Sequence, residues 1–476
     1  MDESTLAALP EAGAINDGPK ASTSPAYGLQ QQVLSPMETL AQSISTIAPS
    51  TTPALTVPLI FALSGAGTGF AYVIATAAMV LVALCIASFA RESASPGSLY
   101  SYARASLPPV YSAVTAWALF FAYVMTAASV MGGFLNFAYI FLDLLFGPRG
   151  AHVSPALLVV LVTVAAVAVA YRDIKISARL MMTIEAISVF LIAVVIAITL
   201  WKHGLHLDTS QFRIRGFSAQ GVRTGVMLAI FSFVGFESAT TLGSEARDPL
   251  KTIPRAVISS ALLSGIFFLI CSYGEVLGFR GSPTSLGDSS APFHYLSSQA
   301  GISPAGWLID AGVLVSMFAA TLACVIAASR VLLLMAHHGL AHRRLQSIHA
   351  QSETPGAASL LSAALAFLPV LVLAHRGVSG ADIYGWMGTL AVFGFLTAYT
   401  LAALALASHL HRERRLSFGS GLLAAAATLA MIAALLGNLF PVPPAPYRYF
   451  PWIYGAYLAL ALLWYWLAGP EPELNN

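Results

Sequence analysis

The residues of this chain best placed to do chemistry are a carboxylate and a run of hydroxyls inside an otherwise apolar stretch. From Gly221 to Arg255 the chain reads GVRTGVMLAIFSFVGFESATTLGSEARDPLKTIPR. The first half is a plain membrane helix; then Ser232, Gly235, Glu237, Ser238, Thr240 and Thr241 fall within about three turns. Glu237 sits near bilayer depth, where an ionisable side chain costs roughly 2.5 kcal/mol or more unless it faces a wet cavity or a partner. Gly235, without a side chain, weakens the helix beside that carboxylate. Backbone freed from helical bonding survives at this depth only where it lines a cavity or meets a ligand. A broken helix with a buried acid therefore points to a binding site at the membrane midplane. The plain alternative is a tilted helix carrying a structural glutamate.

Composition says what holds this stretch. Of 476 residues, 57% are hydrophobic and 9% are charged, against about 25% charged in soluble domains. The chain reads as an integral membrane protein, with lipid around it. A net charge of +2 says little about partners; nothing in the sequence resembles a nucleic-acid patch, so no nucleic-acid partner is expected. Cys85, Cys271 and Cys324 lie in separate apolar spans and read as small core residues rather than disulfides or metal ligands. No phosphate loop, H-E-x-x-H run or G-x-S-x-G elbow occurs, so neither ATP-driven pumping nor enzyme chemistry has support, and no cofactor is expected. Residues 1–33 are rich in Ala, Gly, Ser and Pro, and read as a flexible tail without the pattern of a signal peptide.

Stretches of about 20 apolar residues can each cross the bilayer. Twelve are expected, at 36–62, 68–91, 111–141, 154–171, 175–201, 222–245, 254–279, 306–336, 356–375, 382–409, 419–440 and 449–468. Uninterrupted apolar runs argue against a β-barrel, and the third and eighth spans are long enough to demand tilt. Basic residues concentrate on one side, at Arg91, Arg104, Arg172–Arg179, Arg247–Arg255, Arg343, Arg344 and Arg412–Arg415; this puts both termini in the cytoplasm. The first span is interrupted as well, because Pro49 and Pro53 each remove a donor and clash with the preceding turn. Spans one and six thus both break, five apart, which is the sequence pointer to a 5+5 inverted repeat. The expected units are 34–210 (spans one to five), 211–412 (spans six to ten) and 413–476 (the last two spans and a short tail).

With these residues in view, the chain resembles the amino acid–polyamine–organocation permease superfamily, which has the leucine-transporter fold. The strongest piece is FSFVGFESATTLGSEARDPLKTIPRAV, similar to the family's sixth helix and following loop. Pro96, Gly97, Tyr100 and Tyr102 resemble its loop after helix two, and Arg330, Met335, Ala336 and Gly339 resemble the end of its helix eight. The likeness to the arginine/agmatine antiporter branch implies that Phe231 gates the substrate and that the carbonyls of Phe231 and Val234 beside Gly235 receive its ammonium. It also implies that Glu237 is tied to proton-dependent exchange. The family's glycine-rich motif on helix one, whose amides hold a carboxylate, is replaced here by Ile47-Ala48-Pro49-Ser50-Thr51-Thr52-Pro53. Ser50, Thr51 and Thr52 must then supply amides and hydroxyls. The lysine that many relatives carry on helix five corresponds to Ser188, so a lysine-based mechanism is not expected.

Among other candidates, Glu185 lies at a depth comparable to Glu237, so the two could share or relay a proton; separate structural pairs, Glu185 with Arg179 for one, are the alternative. Trp117, Phe121, Tyr123, Trp307 and Phe318 could wall the pocket, although core packing or an interface belt is the commoner use of any single aromatic. Asp310 and Glu275 read as rim charges. His337, His338 and His342 read as a basic interface patch rather than a metal site. A sodium site would have only Ser316 and Thr321 to offer.

The reading is an all-α secondary transporter of amino acids in the plasma membrane, working by alternating access. The resemblance implies rocking of helices 1, 2, 6 and 7 against 3, 4, 8 and 9. The driving force is expected to be protons or substrate exchange. One alternative is a permease for polyamines, ethanolamine or other organic cations, with Glu237 as counter-ion. Another, of a different class, is a non-transporting sensor or complex subunit with the same fold.

Overall fold

The computed structural model describes residues 31–95, 97–147, 153–172, 174–204, 208–212, 219–348, 354–443 and 445–468. Most of the expected tail, residues 1–30, lies outside them. Helix α1 (Pro36–Ile47) starts where Ser35 and Glu38 satisfy each other's backbone N–H groups and Pro36 occupies the first turn. It stops at Ala48, which is left-handed at φ 48°, just before Pro49. The chain then runs through a π-helical turn, Thr52–Thr56, into α2 (Val57–Ser64). The expected break of the first span is therefore present, where the prolines put it.

Next come α3 (Thr68–Ala90), the short α4 (Ser98–Ser106), α5 (Pro109–Phe146), α6 (Pro155–Arg172) and α7 (Ile174–Lys202). Helix α8 (Ala219–Phe231) ends at the second break; turns over 232–237 and a 3-10 stretch, Ser238–Leu242, follow. The remainder comprises α9 (Pro249–Gly278), α10 (Pro292–Ala300), α11 (Pro304–His337), α12 (Gly356–His375), α13 (Gly380–Arg412), α14 (Phe418–Gly437) and α15 (Phe450–Ala468). Helices α5, α11 and α13 have 38, 34 and 33 residues. At about 1.5 Å per residue each exceeds a hydrocarbon core of about 30 Å and must tilt.

Among the described residues, nine helical stretches are long and apolar enough to cross a membrane. The first, Pro36–Ala90, merges two expected spans; the sixth span is too broken to qualify, and the fourth offers only Pro155–Ala165. Helix α5 packs between α11 and α13, forming a buried core around Leu119, Tyr123, Met317, Phe395 and Tyr399. Leu429, Leu460, Trp466 and Leu467 on α14 and α15 are turned outward. Such apolar surface is unremarkable in lipid, where tails are as apolar as leucine.

Two acids expected at the rim are buried instead. Glu275 is 0% and Asp310 1% exposed, because both face inward between packed helices. Asp310 has His294 Nε2 at 2.7 Å, within ion-pair distance but off hydrogen-bond alignment. Neither oxygen of Glu275 meets a described donor. Glu275→Leu removes two unmet polar atoms at similar volume, so it is expected to stabilise the protein by roughly 1–3 kcal/mol. The measurement is Tm in detergent; a fall would show that the folded protein meets this group.

Of the three histidines read as a basic patch, His338 does not fit that role. His338, just beyond α11, packs at 5.5 Å against the Tyr100 ring at a tilted angle and bonds its hydroxyl at 2.8 Å. Burial, with Arg104 and His337 nearby, pushes its imidazole down to about 3. Neutral at pH 7, His338 adds no charge to such a patch. The unfolded chain, near 6.5, binds this proton first, so stability contributed by His338 is full above about 6.5 and falls as pH drops, by up to about 1.4 kcal/mol per unit. Melting curves between pH 7.5 and 5 are expected to flatten in His338→Asn; equal slopes would contradict this.

Candidate functional site

The two breaks abut one another. Gly235 has φ 95°, which favours glycine, and a Cβ there would lie 2.1 Å from the Thr46 side chain. Its neighbours knit the two breaks together. Ser43 Oγ donates to the Phe236 carbonyl at 2.7 Å and accepts the Ala239 N–H at 3.1 Å. Ser238 Oγ lies 2.9 Å from Thr46 Oγ1 and 3.2 Å from the Gln42 carbonyl, to either of which it can donate. Ser260 of α9 adds a second donor to Phe236 at 3.1 Å. The hydroxyls that made the stretch too polar for lipid therefore satisfy backbone released by the breaks.

Some backbone at the junction remains available. The Phe231 carbonyl accepts Val234 N–H at 3.0 Å, while no described hydrogen bond ends on the Val234 carbonyl. On the first break, Thr51 N–H is turned back onto Ala48 O at 2.9 Å. The Thr51 hydroxyl is buried without a described partner, and Ile47 and Thr52 are buried beside it.

Ser50 is already engaged. Its N–H donates to Glu185 Oε1 at 2.7 Å, its hydroxyl to Oε2 at 3.3 Å, and Ser316 Oγ of α11 donates to Oε2 as well. Glu185 thus ties α7 to the first break and to α11, and its oxygens are taken by serines; the Arg179 side chain lies outside the described ones. Ser188, one turn on, abuts Gly312 of α11 and bonds the Ile184 carbonyl of its own helix at 3.0 Å. Of the two hydroxyls considered for sodium, Thr321 is bonded to Met317 O of its own helix at 2.8 Å and Ser316 is on Glu185.

Glu237 is fully buried and held from two sides. Tyr123 OH of α5 donates to Oε1 at 2.7 Å and Tyr399 OH of α13 to Oε2 at 2.6 Å. No described cation pairs with it, and no hydrogen bond joins it to Glu185. Two phenols, one per oxygen, suit a carboxylate acceptor. Tyr123, named as a possible pocket wall, is thus a partner of the acid.

Phe231 caps the junction at the end of α8. Its ring meets Tyr384 of α13 edge-on at 5.4 Å and presses on Gly388, where a Cβ would come within 2.7 Å of the ring. Tyr384 OH bonds Thr56 Oγ1 at 2.7 Å, and Ser129 donates to the Tyr384 carbonyl at 2.6 Å. Phe231, Tyr384 and Thr56 therefore form one layer joining α8, α13 and the π-helical turn. Tyr384 and Tyr399 were missed from the sequence; the available signal was two tyrosines inside one apolar span, whose buried hydroxyls require partners.

The other aromatics point elsewhere. Trp117 and Phe121 pack on Tyr457 of α15 at 6.2 and 4.6 Å, and Trp307 on His294 at 4.1 Å, so none of these three walls the junction. Phe318 is half-buried on α11. Beyond the 3-10 stretch, Arg330 grips Glu245 with Nε to Oε2 at 2.8 Å and Nη2 to Oε1 at 2.6 Å, both side chains at most 5% exposed. The segment before α1 pairs with the same loop, Leu34 N–H to Glu245 O at 2.8 Å and Arg247 N–H to Leu34 O at 2.9 Å.

Two interrupted membrane helices crossing at a polar midpoint, backed by a long-helix core, define the architecture of solute carriers with discontinuous helices. The fold resembles MhsT, in a crystal structure in complex with L-phenylalanine, with a TM-score of 0.56 and 15% identity over 86% of this chain and 98% of that one. The "Amino acid permease" family model matches residues 40–474, and the chain belongs to that family. The branched-chain amino acid permease BcaP of Lactococcus lactis subsp. cremoris (strain MG1363) is 25% identical over 384 residues, 76% of this chain and 81% of that one. Cationic amino acid transporter 4 of Homo sapiens is 25% identical over 350 residues, 69% of this chain and 52% of that one. The chain is a multi-pass membrane permease and not an enzyme.

Proposed function

We propose that this permease is a secondary transporter that moves amino acids by alternating access, driven by protons or by substrate exchange. The observation that carries the reading is the abutting pair of breaks, where among the described residues no hydrogen bond ends on the Val234 carbonyl and none engages the Thr51 hydroxyl. The substrate ammonium meets the carbonyls of Phe231 and Val234 beside Gly235. Its carboxylate meets Thr51, Thr52 and the backbone near Ile47, and it competes with Glu185 for Ser50. A proton on Glu185 would weaken its hold on Ser50 and free that donor, which links proton and substrate binding. Phe231 gates the pocket, and Glu237 serves as the main coupling acid.

Two inverted units, 34–210 and 211–412, with 413–476 outside them, give twelve spans with both termini in the cytoplasm of a plasma-membrane protein. The basic clusters support that orientation. The relatives named for branched-chain and for cationic amino acids leave two substrate classes to compare. A neutral zwitterion is favoured, because Glu237, the acid beside the junction, already holds two phenols.

Ser50→Ala with Thr51→Ala is expected to weaken binding of zwitterions by about 1–3 kcal/mol, the cost of leaving a charged partner unmet. Amines lacking a carboxylate should bind as before. Wild-type amino acid affinity in the double variant would remove this carboxylate site.

A further inference from the structure

Where α3 ends and α9 begins, Arg91, Leu250, Lys251, Pro254, Arg255 and Ile258 line a groove of about 320 Å³. Arg91, Lys251 and Arg255 are exposed, and among the described residues no carboxylate pairs with any of them. The neighbouring acid, Glu92, is committed to Arg415 at 2.8 Å and to His409 at 2.8 Å. Asp248 is exposed but does not line the groove. Three cations thus converge on one cavity without an internal counter-charge.

The remaining lining is apolar, and it continues along the membrane face. From Ile258, Leu262, Ile266 and Ile270 follow in steps of four along α9, the last three 44%, 47% and 49% exposed. Leu263 beside them is 58% exposed, and Leu84 on the adjacent α3 is 37% exposed. Residues four apart share a helix face, so an apolar stripe runs straight out of a cationic groove. Such a stripe faces lipid tails, as apolar helix surface does elsewhere in the molecule, and here it leads directly out of the cationic groove. A molecule with a phosphate head and hydrocarbon tails matches both parts at once.

We infer that this groove is a binding site for an anionic phospholipid, with the headgroup phosphate among Arg91, Lys251 and Arg255 and an acyl chain along the Ile258–Ile270 face. Under the orientation proposed above the groove opens to the cytoplasmic leaflet; the binding itself does not depend on that orientation.

The test uses the full-length protein in mild detergent, titrated with phosphatidylglycerol, phosphatidylcholine or inorganic phosphate while Tm is followed. Phosphatidylglycerol should raise Tm saturably, and the other two should not at equal concentration. Arg91→Gln/Lys251→Gln/Arg255→Gln should shift the midpoint of that response at least tenfold upward, as loss of three interfacial cations implies. Arg412→Gln, an exposed cation at the end of α13, should leave it unchanged. Should the triple variant not fold, Lys251→Gln and Arg255→Gln singly should each give a several-fold shift. A wild-type response in the charge-removed variants, or an equal loss in Arg412→Gln, would overturn the groove. A full response to inorganic phosphate would overturn the lipid and leave a simple anion site. Because the readout is binding and not flux, a failure here is distinct from a failure of the transport reading.

Discussion

Glu237→Gln is expected to abolish proton-driven accumulation while leaving substrate exchange in place. Glutamine keeps the shape of the side chain, and its amide can still accept from Tyr123 OH and donate to the phenol oxygen of Tyr399. The clamp between the second break and helices α5 and α13 therefore persists at a cost of about 1 kcal/mol. What disappears is the ability to take up and release a proton. In proteoliposomes, counterflow of a labelled neutral amino acid should remain within about threefold of wild type, whereas accumulation against an imposed pH gradient should fall to the equilibrium level. If Glu237 were instead the counter-ion of a cationic substrate, binding itself would be lost. If it were purely structural, accumulation and exchange would persist or fall together with the yield of monodisperse protein. Retained pH-driven accumulation in a well-folded variant would pass the coupling role to Glu185.

Arg330→Ala should be the most destabilising single change. It leaves the Glu245 carboxylate buried after removing both of its hydrogen bonds to Arg330. Breaking one side of such a pair typically costs about 3–5 kcal/mol, whereas replacing both partners by apolar groups is often close to neutral. Arg330→Met with Glu245→Leu should therefore recover most of the Tm lost by Arg330→Ala. The loop bearing Glu245 is also bonded to Gln32 and Leu34, just ahead of α1, so the single variant should expose that junction to protease. Equal Tm values for the single and double variants would show that an unmet charge is not the cause.

How much could be read from the sequence follows from which forces leave a local mark. Breaks do: Pro49 and Pro53 cannot continue a helix, and Gly235 among hydroxyls advertises a departure from one. The burial of Glu237 and Glu185 was legible for the same reason, since apolar neighbours on both sides fix depth. Partners were not legible, because Tyr123 and Tyr399 reach Glu237 from 114 and 162 residues away. Nothing local to Ser50 announces that a glutamate 135 residues on will take its N–H. Charge type near a span end also misled. Glu275 and Asp310 stand close enough to helix ends to be read as rim groups, and only packing shows that they face inward. Trp117 and Phe121 take the commoner role of core aromatics, because the side of α5 they occupy is covered by α15, which belongs to the last stretch of the chain.

The proposed function is that amino acids cross the membrane through the junction of the two breaks. Its most direct test is uptake by the purified protein in proteoliposomes, using labelled leucine, arginine, phenylalanine, putrescine and ethanolamine, with and without a pH gradient. The expected result is saturable uptake of a neutral amino acid, enhanced by the gradient, competed by other zwitterions and insensitive to the two amines. Uptake of amines without competition from amino acids, or amino acid binding without any flux, would contradict it.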